Sequence, residues 1–219
     1  MLVSKILVYL YKFQNNKSRK VIHKILEKME KGEMYSISLR KIMKVYFNIE
    51  IGKYTYGGCF NPLLFERSVS IGNYTSISAS TRALTRNHPV TKVSTHPFFY
   101  NKYLGFVNSD LVERSPLEIG HDVWLGHNVV IVPRVKKIGN GAIIGAGTII
   151  TRDVPAYSIV VGNPGKIIKY RFNDDIIIKL EESRWWEKDI GSYEQKLHIF
   201  DKILSNINLQ VASEVIDQL

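Results

Sequence analysis

Six histidines are the side chains of this chain best suited to move a proton near neutral pH. His88 and His96 stand eight residues apart, each followed by proline, in a stretch with neither helix nor strand periodicity. A histidine on such a loop can act as general base toward a hydroxyl, or it can simply fix the turn before its proline. His23 and His198 fall in segments of helical pattern and read as surface residues. His121 and His127 invite a metal reading, because histidine is a common zinc ligand. Cys59 is the single cysteine, so no intrachain disulfide can form, which fits a reducing compartment. Neither a G-x-x-x-x-G-K-[ST] loop nor a strand-linked G-x-G-x-x-G with an acidic partner occurs, which excludes the usual nucleotide-triphosphate and Rossmann sites.

The elements that must position these groups announce themselves by a period of six. An aliphatic residue followed by a small one recurs at Ile51-Gly52, Ile71-Gly72 and Ile77-Ser78, then at Ile119-Gly120, Leu125-Gly126, Ile131-Val132, Ile138-Gly139, Ile144-Gly145 and Ile150-Thr151. Helices repeat at about 3.6 residues and strands at about 2, so neither produces this pattern. Three hexapeptides make one three-faced coil of about 18 residues. The aliphatic residues then point inward and the small ones sit near corners, where the backbone turns without a Cβ clash. The expected fold is mainly β, a left-handed parallel β-helix with N-terminal helices, one long inserted loop and C-terminal helices. The seven-residue step from Ile131 to Ile138 places one extra residue near Lys136 or Lys137, at a corner that can bulge. His121 and His127, six apart, fall on adjacent faces of one turn with diverging side chains, and no metal site is expected.

Three segments follow. Residues 1–47 form a basic helical unit, in which Val21, Ile22, Ile25, Leu26 and Met29 follow one helix face, Gly32 is a stop, and a second helix runs through Leu39, Ile42 and Met43. Residues 48–170 hold the coil, interrupted by a long loop at 83–116; loops of that length are usually functional. Residues 171–219 form a helical cap over the coil's open end and strand edges. Asn173 or Asp174 can cap a helix carrying Ile176, Ile177, Leu180 and Trp185, and Ser192–Gln195 reads as a capping box before Leu197, Phe200 and Leu204. Hydrophobic residues at 45% and charged residues at 23% place the chain among globular proteins rather than disordered ones. Of the net charge of +10, +7 lies in residues 1–50, which hold eleven Lys/Arg against four Glu. Such a segment suits an acidic partner (a membrane surface, a polyanionic glycan or nucleic acid) or is a plain solvated helix face. The apolar start is short, is interrupted by Lys5, and is followed by no small-residue cleavage site. The expected location is cytoplasmic, with peripheral contact at the inner face of the membrane left open.

The segment IGHDVWLGHNVVIVPRVKKIGNGAIIGAGTIITRDVPAYSIVVGNPGKIIKYRF (119–172) resembles the C-terminal coils of hexapeptide-repeat acyltransferases. SLRKI (38–42) leading into IGKYTYGG (51–58), His88 in NHPVTKVSTHPFF (87–99), and Trp185-Trp186 in the tail narrow the resemblance to the xenobiotic acetyltransferase branch. That branch includes chloramphenicol and streptogramin acetyltransferases and many polysaccharide O-acetyltransferases. The resemblance covers roughly residues 35–200 and leaves residues 1–34 outside.

The resemblance implies an acetyl-CoA-dependent O-acetyltransferase, with acetyl-CoA as co-substrate and no metal. His88 matches the catalytic base, with His96 as its competitor, and Trp124 lines the acceptor or thioester region. Gly145, Ala146 and Gly147 would keep a groove open for the pantetheine arm. Ala146, Thr151, Arg152, Lys166 and Lys169 match positions that contact coenzyme A, and the basic ones among them suit its phosphates. Arg152 stands where lysine is frequent, and Gly165 where alanine is. A groove between neighbouring coils implies a homotrimer, with no nucleic-acid partner. The expected acceptor is a sugar hydroxyl of a cell-surface polysaccharide; the alternatives are a chloramphenicol- or streptogramin-type antibiotic, or a non-enzymatic or metal-binding β-helix. Pro89-Val90-Thr91 replaces the polar run that usually follows the histidine, which counts against the drug acceptor.

Overall fold

A computed structural model describes residues 2–202 and 209–219. Helices α1 (Leu2–Leu10), α2 (Asn16–Met29) and α3 (Ile37–Phe47) come first. The Asn15 side chain accepts from Lys17 and Ser18 N–H, and Ser36 Oγ accepts from Leu39 N–H, so polar caps open α2 and α3. Of the predicted α2 face only Ile22 and Leu26 are buried; Val21, Ile25 and Met29 stay exposed. His23 corrects its reading as a surface residue, since it is half-buried with its ring centroid 6.3 Å from that of Phe60.

The chain then runs through three sheets of parallel strands in rotation. β1 (Ile49–Ile51) joins the first sheet and β2 (Tyr56–Gly57) the second. β3 (Val69–Ile71), β4 (Ser76–Ile77) and β5 (Arg82–Ala83) join the first, second and third. After the long loop, β6 (Leu117–Ile119), β7 (Trp124–Leu125) and β8 (Val130–Ile131) repeat that order, as do β9 (Lys137–Ile138), β10 (Ile143–Ile144) and β11 (Ile149–Ile150). Each circuit lays its strands in parallel register on the previous one, as in Ile77↔Leu125 and Leu125↔Ile144. The inward aliphatics Ile51, Ile71, Ile77, Ile119, Leu125, Ile131, Ile138, Ile144 and Ile150 are all buried, as the period of six requires.

The corner glycines work differently from expectation. Gly52, Gly72, Gly120, Gly126, Gly139 and Gly145 have ordinary φ; the left-handed residue comes two positions later, at Tyr54, Tyr74, Asp122, Asn128, Gly141 and Gly147. What excludes a side chain at the glycine is the neighbouring circuit. A Cβ on Gly72 would lie 2.6 Å from Gly120 C, and one on Gly126 would lie 2.8 Å from Ala146 N. Between these positions runs a ladder of side chains, each accepting a backbone N–H from the circuit before it. Asn73 Oδ1 takes Lys53 N–H at 2.8 Å, His121 Nδ1 takes Asn73 N–H at 2.8 Å, and Asn140 Oδ1 takes His121 N–H at 2.9 Å. His121 is therefore a rung of the coil. At the seven-residue step, Asp153 Oδ1 accepts from both Lys136 N–H (2.6 Å) and Lys137 N–H (3.1 Å).

The coil ends differently as well. β12 (Ser158–Val161) pairs in parallel with β10, but the following strand, β13 (Lys166–Tyr170), lies antiparallel on β12. The sheet edge expected under a helix is covered by this hairpin, because only a strand offers a matching row of N–H and C=O groups. Helix α4 (Asp174–Ser183), capped by Asn173, packs Ile176 and Leu180 with Tyr157, Ala212 and Ile216. It stops before Trp185, which sits in a 3₁₀ turn. The Ser192–Gln195 capping box does not form: Ser192 Oγ donates back to Asp189 C=O at 2.6 Å, inside another 3₁₀ turn. Two short helices, α5 (Leu197–Phe200) and α6 (Leu209–Ile216), follow, and Leu204 lies outside the described residues. Of the two tail tryptophans, Trp185 packs on Tyr74 with ring centroids 5.2 Å apart, and Trp186 locks onto the corner ladder. Trp186 stacks on His121 with ring centroids 5.2 Å apart, and Asn73 Nδ2 donates to Trp186 C=O at 2.9 Å.

Two measurements check this arrangement. Leu125→Ala, at the middle of the second sheet, should cost about 2–5 kcal/mol in chemical denaturation, against less than about 0.5 kcal/mol for the exposed Ile178→Ala. Burial, followed by smaller charge effects, holds the His121 pKa below its ordinary 6.5. The unfolded chain therefore binds this proton more readily than the fold does, so His121 withdraws stability as pH falls through about 6.5. His121→Asn keeps a ladder acceptor of the kind used at Asn73 and Asn140, and should flatten the fall of Tm between pH 7 and 5.5.

Candidate active site

The loop between β5 and β6 is tied at its base and ordered at its tip. Glu66 Oε2 accepts from Thr85 N–H (2.9 Å), Thr85 Oγ (3.1 Å) and Arg114 (3.0 Å), and Ser115 N–H donates to Thr85 C=O at 2.7 Å. This knot joins the outgoing and returning strands of the loop to the coil. Inside it, Pro97–Phe99 and Lys102–Leu104 form 3₁₀ turns, and Leu111 N–H donates to Tyr100 C=O at 2.9 Å. Tyr100 is buried and carries the Arg86 guanidinium 5.8 Å from its ring centroid.

His88 is held by one side of its ring. Its Nδ1 lies 2.7 Å from Thr95 C=O and 3.0 Å from Tyr100 Oη, with the Tyr100 ring edge-on. A carbonyl oxygen can only accept, so Nδ1 carries the proton and the neutral ring has its lone pair on Nε2. The ring is exposed, which leaves Nε2 accessible. His96 has the opposite arrangement. Its Nδ1 accepts from Phe98 N–H at 3.3 Å and caps the first 3₁₀ turn, so in the neutral ring Nε2 carries the hydrogen. Both loop histidines are exposed, but only His88 keeps Nε2 as its basic nitrogen. Thr95 and Tyr100, which set this tautomer, carry no sequence signal beyond their place in the loop.

Trp124 stands outward on the second sheet, 55% exposed. It belongs to one register row that runs Tyr56, Ser76, Trp124, Ile143, Ile159, Lys169. At about 4.8 Å per strand, Lys169 lies roughly 14 Å along this face from Trp124.

A cleft of about 260 Å³ opens beside the hairpin, lined by Ile150, Thr151, Arg152, Asp153, Val154, Val160, Gly165, Lys166 and Ile167. The fold thus brings three of the predicted coenzyme A residues, Thr151, Arg152 and Lys166, into one concavity. Gly145 and Ala146 lie at the preceding corner, outside its lining, and Lys169 lies on the neighbouring outward row. A Cβ on Gly165 would stand 3.0 Å from Thr148 Cγ2 and 3.1 Å from Val160 Cγ1, so glycine lets the hairpin close against the coil. Among the described residues Arg152, Lys166 and Lys169 form no ion pair, which leaves their charge for a ligand. His127 Nδ1 lies 2.8 Å from Ser80 Oγ, well apart in role from the His121 rung. Among the described residues no three His, Cys, Asp or Glu side chains gather closely enough to hold a metal ion.

No family model matches the chain. A chloramphenicol acetyltransferase of Escherichia coli is 36% identical over 160 residues, 64% of this chain and 76% of that protein. A probable macrolide acetyltransferase of Lysinibacillus sphaericus is 37% identical over 122 residues, 53% of this chain and 67% of that protein. A hexapeptide-repeat acetyltransferase of Vibrio cholerae O1, crystallised with acetyl coenzyme A, is 25% identical, with a TM-score of 0.41 covering 56% of this chain and 60% of that one. Identity above one third across three quarters of the Escherichia coli protein settles the family: the chain belongs to the hexapeptide-repeat acyltransferase superfamily, in its xenobiotic acetyltransferase branch.

Proposed function

We propose that the protein transfers an acetyl group from acetyl-CoA to a hydroxyl of a small acceptor of the chloramphenicol or macrolide kind. The observation that carries this reading is the tautomer of the exposed His88, fixed by Thr95 C=O so that Nε2 is the basic nitrogen. Nε2 takes the proton of the acceptor hydroxyl as its oxygen attacks the acetyl carbonyl carbon. The tetrahedral intermediate collapses by breaking the C–S bond, and the proton passes from His88 to the departing thiolate. No covalent acetyl-enzyme is required. Trp124 offers an apolar wall to the acceptor or the thioester. Arg152 and Lys166 in the cleft, with Lys169 beyond it, meet the phosphates of coenzyme A, and Gly145 and Ala146 leave room for its pantetheine arm. The strand rotation suits a left-handed parallel β-helix assembled as a homotrimer, with the aromatic loop at 83–116 reaching toward a neighbouring coil.

A second reading keeps the chemistry and makes the acceptor a sugar hydroxyl of a cell-surface polysaccharide. The charge of +7 in residues 1–50 favours it, since a basic segment suits an acidic or membrane-linked glycan. Thiol release from acetyl-CoA, measured with chloramphenicol, a macrolide and acidic glycans as acceptors, separates the two.

His88→Ala should lower kcat by about 10²–10⁴ with the best acceptor, whereas His96→Asn should stay within about threefold of wild type. Wild-type turnover in His88→Ala would sink the mechanism. Arg152→Ala and Lys166→Ala should each raise the KM for acetyl-CoA by about tenfold, the usual size of one charge-assisted contact, while kcat at saturation holds. An unchanged KM in both would remove the cleft from the donor site.

A further inference from the structure

The basic unit formed by α1 and α2 lies outside the family resemblance, and neither the proposed chemistry nor the coil uses its outer surface. On α1, Ser4 and Val8 are buried and face inward. The opposite face carries Leu2, Val3, Ile6, Tyr9 and Leu10, all exposed and within an arc of about 120°. Phe13 continues it on the following 3₁₀ turn, edge-on to Tyr9 at 5.7 Å and 64% exposed. Lys5 flanks this face, and Lys12 Nζ stands 5.7 Å from the centroid of the Phe13 ring.

Helix α2 combines the same ingredients in two parallel stripes. Lys17, Lys20, Lys24 and Lys28 are spaced at 3, 4 and 4 residues, exposed, and confined to about 80° of arc. Beside them run the exposed Val21, Ile25 and Met29. None of these lysines forms an ion pair among the described residues. No helix among the described residues is long and apolar enough to cross a membrane.

We infer that this surface docks the protein on an anionic lipid bilayer, with the apolar side chains in the interface and the lysines on the headgroups. Apolar and cationic groups on one surface are what a bilayer of acidic lipids rewards together. A soluble polyanion would use the lysines and leave Leu2, Ile6, Tyr9 and Phe13 in water. A second copy of this chain would bring its own four-lysine stripe against the first and repel it. The inference stands whichever acceptor the enzyme acetylates.

Flotation of the full chain with vesicles tests it. Phosphatidylcholine vesicles containing about one third phosphatidylglycerol should carry at least about tenfold more protein than pure phosphatidylcholine, with the difference shrinking as salt rises. Replacing Lys17, Lys20, Lys24 and Lys28 by Gln should abolish the preference for acidic vesicles. Ile6→Ser with Tyr9→Ser and Phe13→Ser should weaken flotation at every salt concentration. Circular dichroism melting reports whether each variant folds, and the wild-type salt series stands without them. Equal flotation with both vesicle types, or none, would overturn the inference. So would capture by dextran sulfate without capture by vesicles, or a sedimentation mass that drops when the α1 face is made polar.

Discussion

The fold rests on how closely one circuit of the coil can approach the next. At six glycine corners a Cβ would collide with an adjacent circuit or with a side chain resting on it, at separations of 2.4–2.8 Å. That approach lets the ladder of Asn73, His121 and Asn140 bridge backbone to backbone. It also brings the inward Ile and Leu side chains into one continuous buried column. Remove the small residue and the circuits must part, opening the column and the ladder together.

Everything at the candidate site hangs from that column. The Glu66–Thr85–Arg114 knot fixes the base of the long loop to the edge of the coil, and the buried Tyr100 gives its tip a centre. His88 can then be held through Nδ1 alone. The cleft depends on the same stacking, since Gly165 and the β12–β13 hairpin close against Ile149 and Thr148 of the last full circuit. The tail adds a clamp, as the Lys53–Asp189 ion pair, Tyr74 and the paired tryptophans bind it to the corner ladder. Coil, loop and tail are thus one mechanical unit, with the outer surfaces of α1 and α2 left free of it.

Several features were legible from the residues alone, and for a common reason. The buried aliphatics, the interrupted stretch at 83–116 and the cap at Asn173 are local or strictly periodic patterns, and a period of six has few physical solutions. The capping box at Ser192 failed because a hydroxyl has more than one nearby backbone partner, and the pattern does not say which wins. The half-burial of His23 against Phe60 and the antiparallel closure by β13 depend on residues distant in sequence or on an edge that exists only once the coil is built.

For the site the division is sharper. The sequence by itself determined the kinds of groups available: two loop histidines, a tryptophan beside Leu125, three cations near the last circuits, and a lysine-rich start. Only the tertiary structure set the tautomers of His88 and His96 apart, because a tautomer is set by which ring nitrogen meets a carbonyl and which meets an N–H. It likewise gathered Thr151, Arg152 and Lys166 into one cleft and left Lys169 on the neighbouring row. Side-chain chemistry is written in the chain one residue at a time, whereas a proton's address and a cleft's membership depend on neighbours that only folding brings within hydrogen-bond distance.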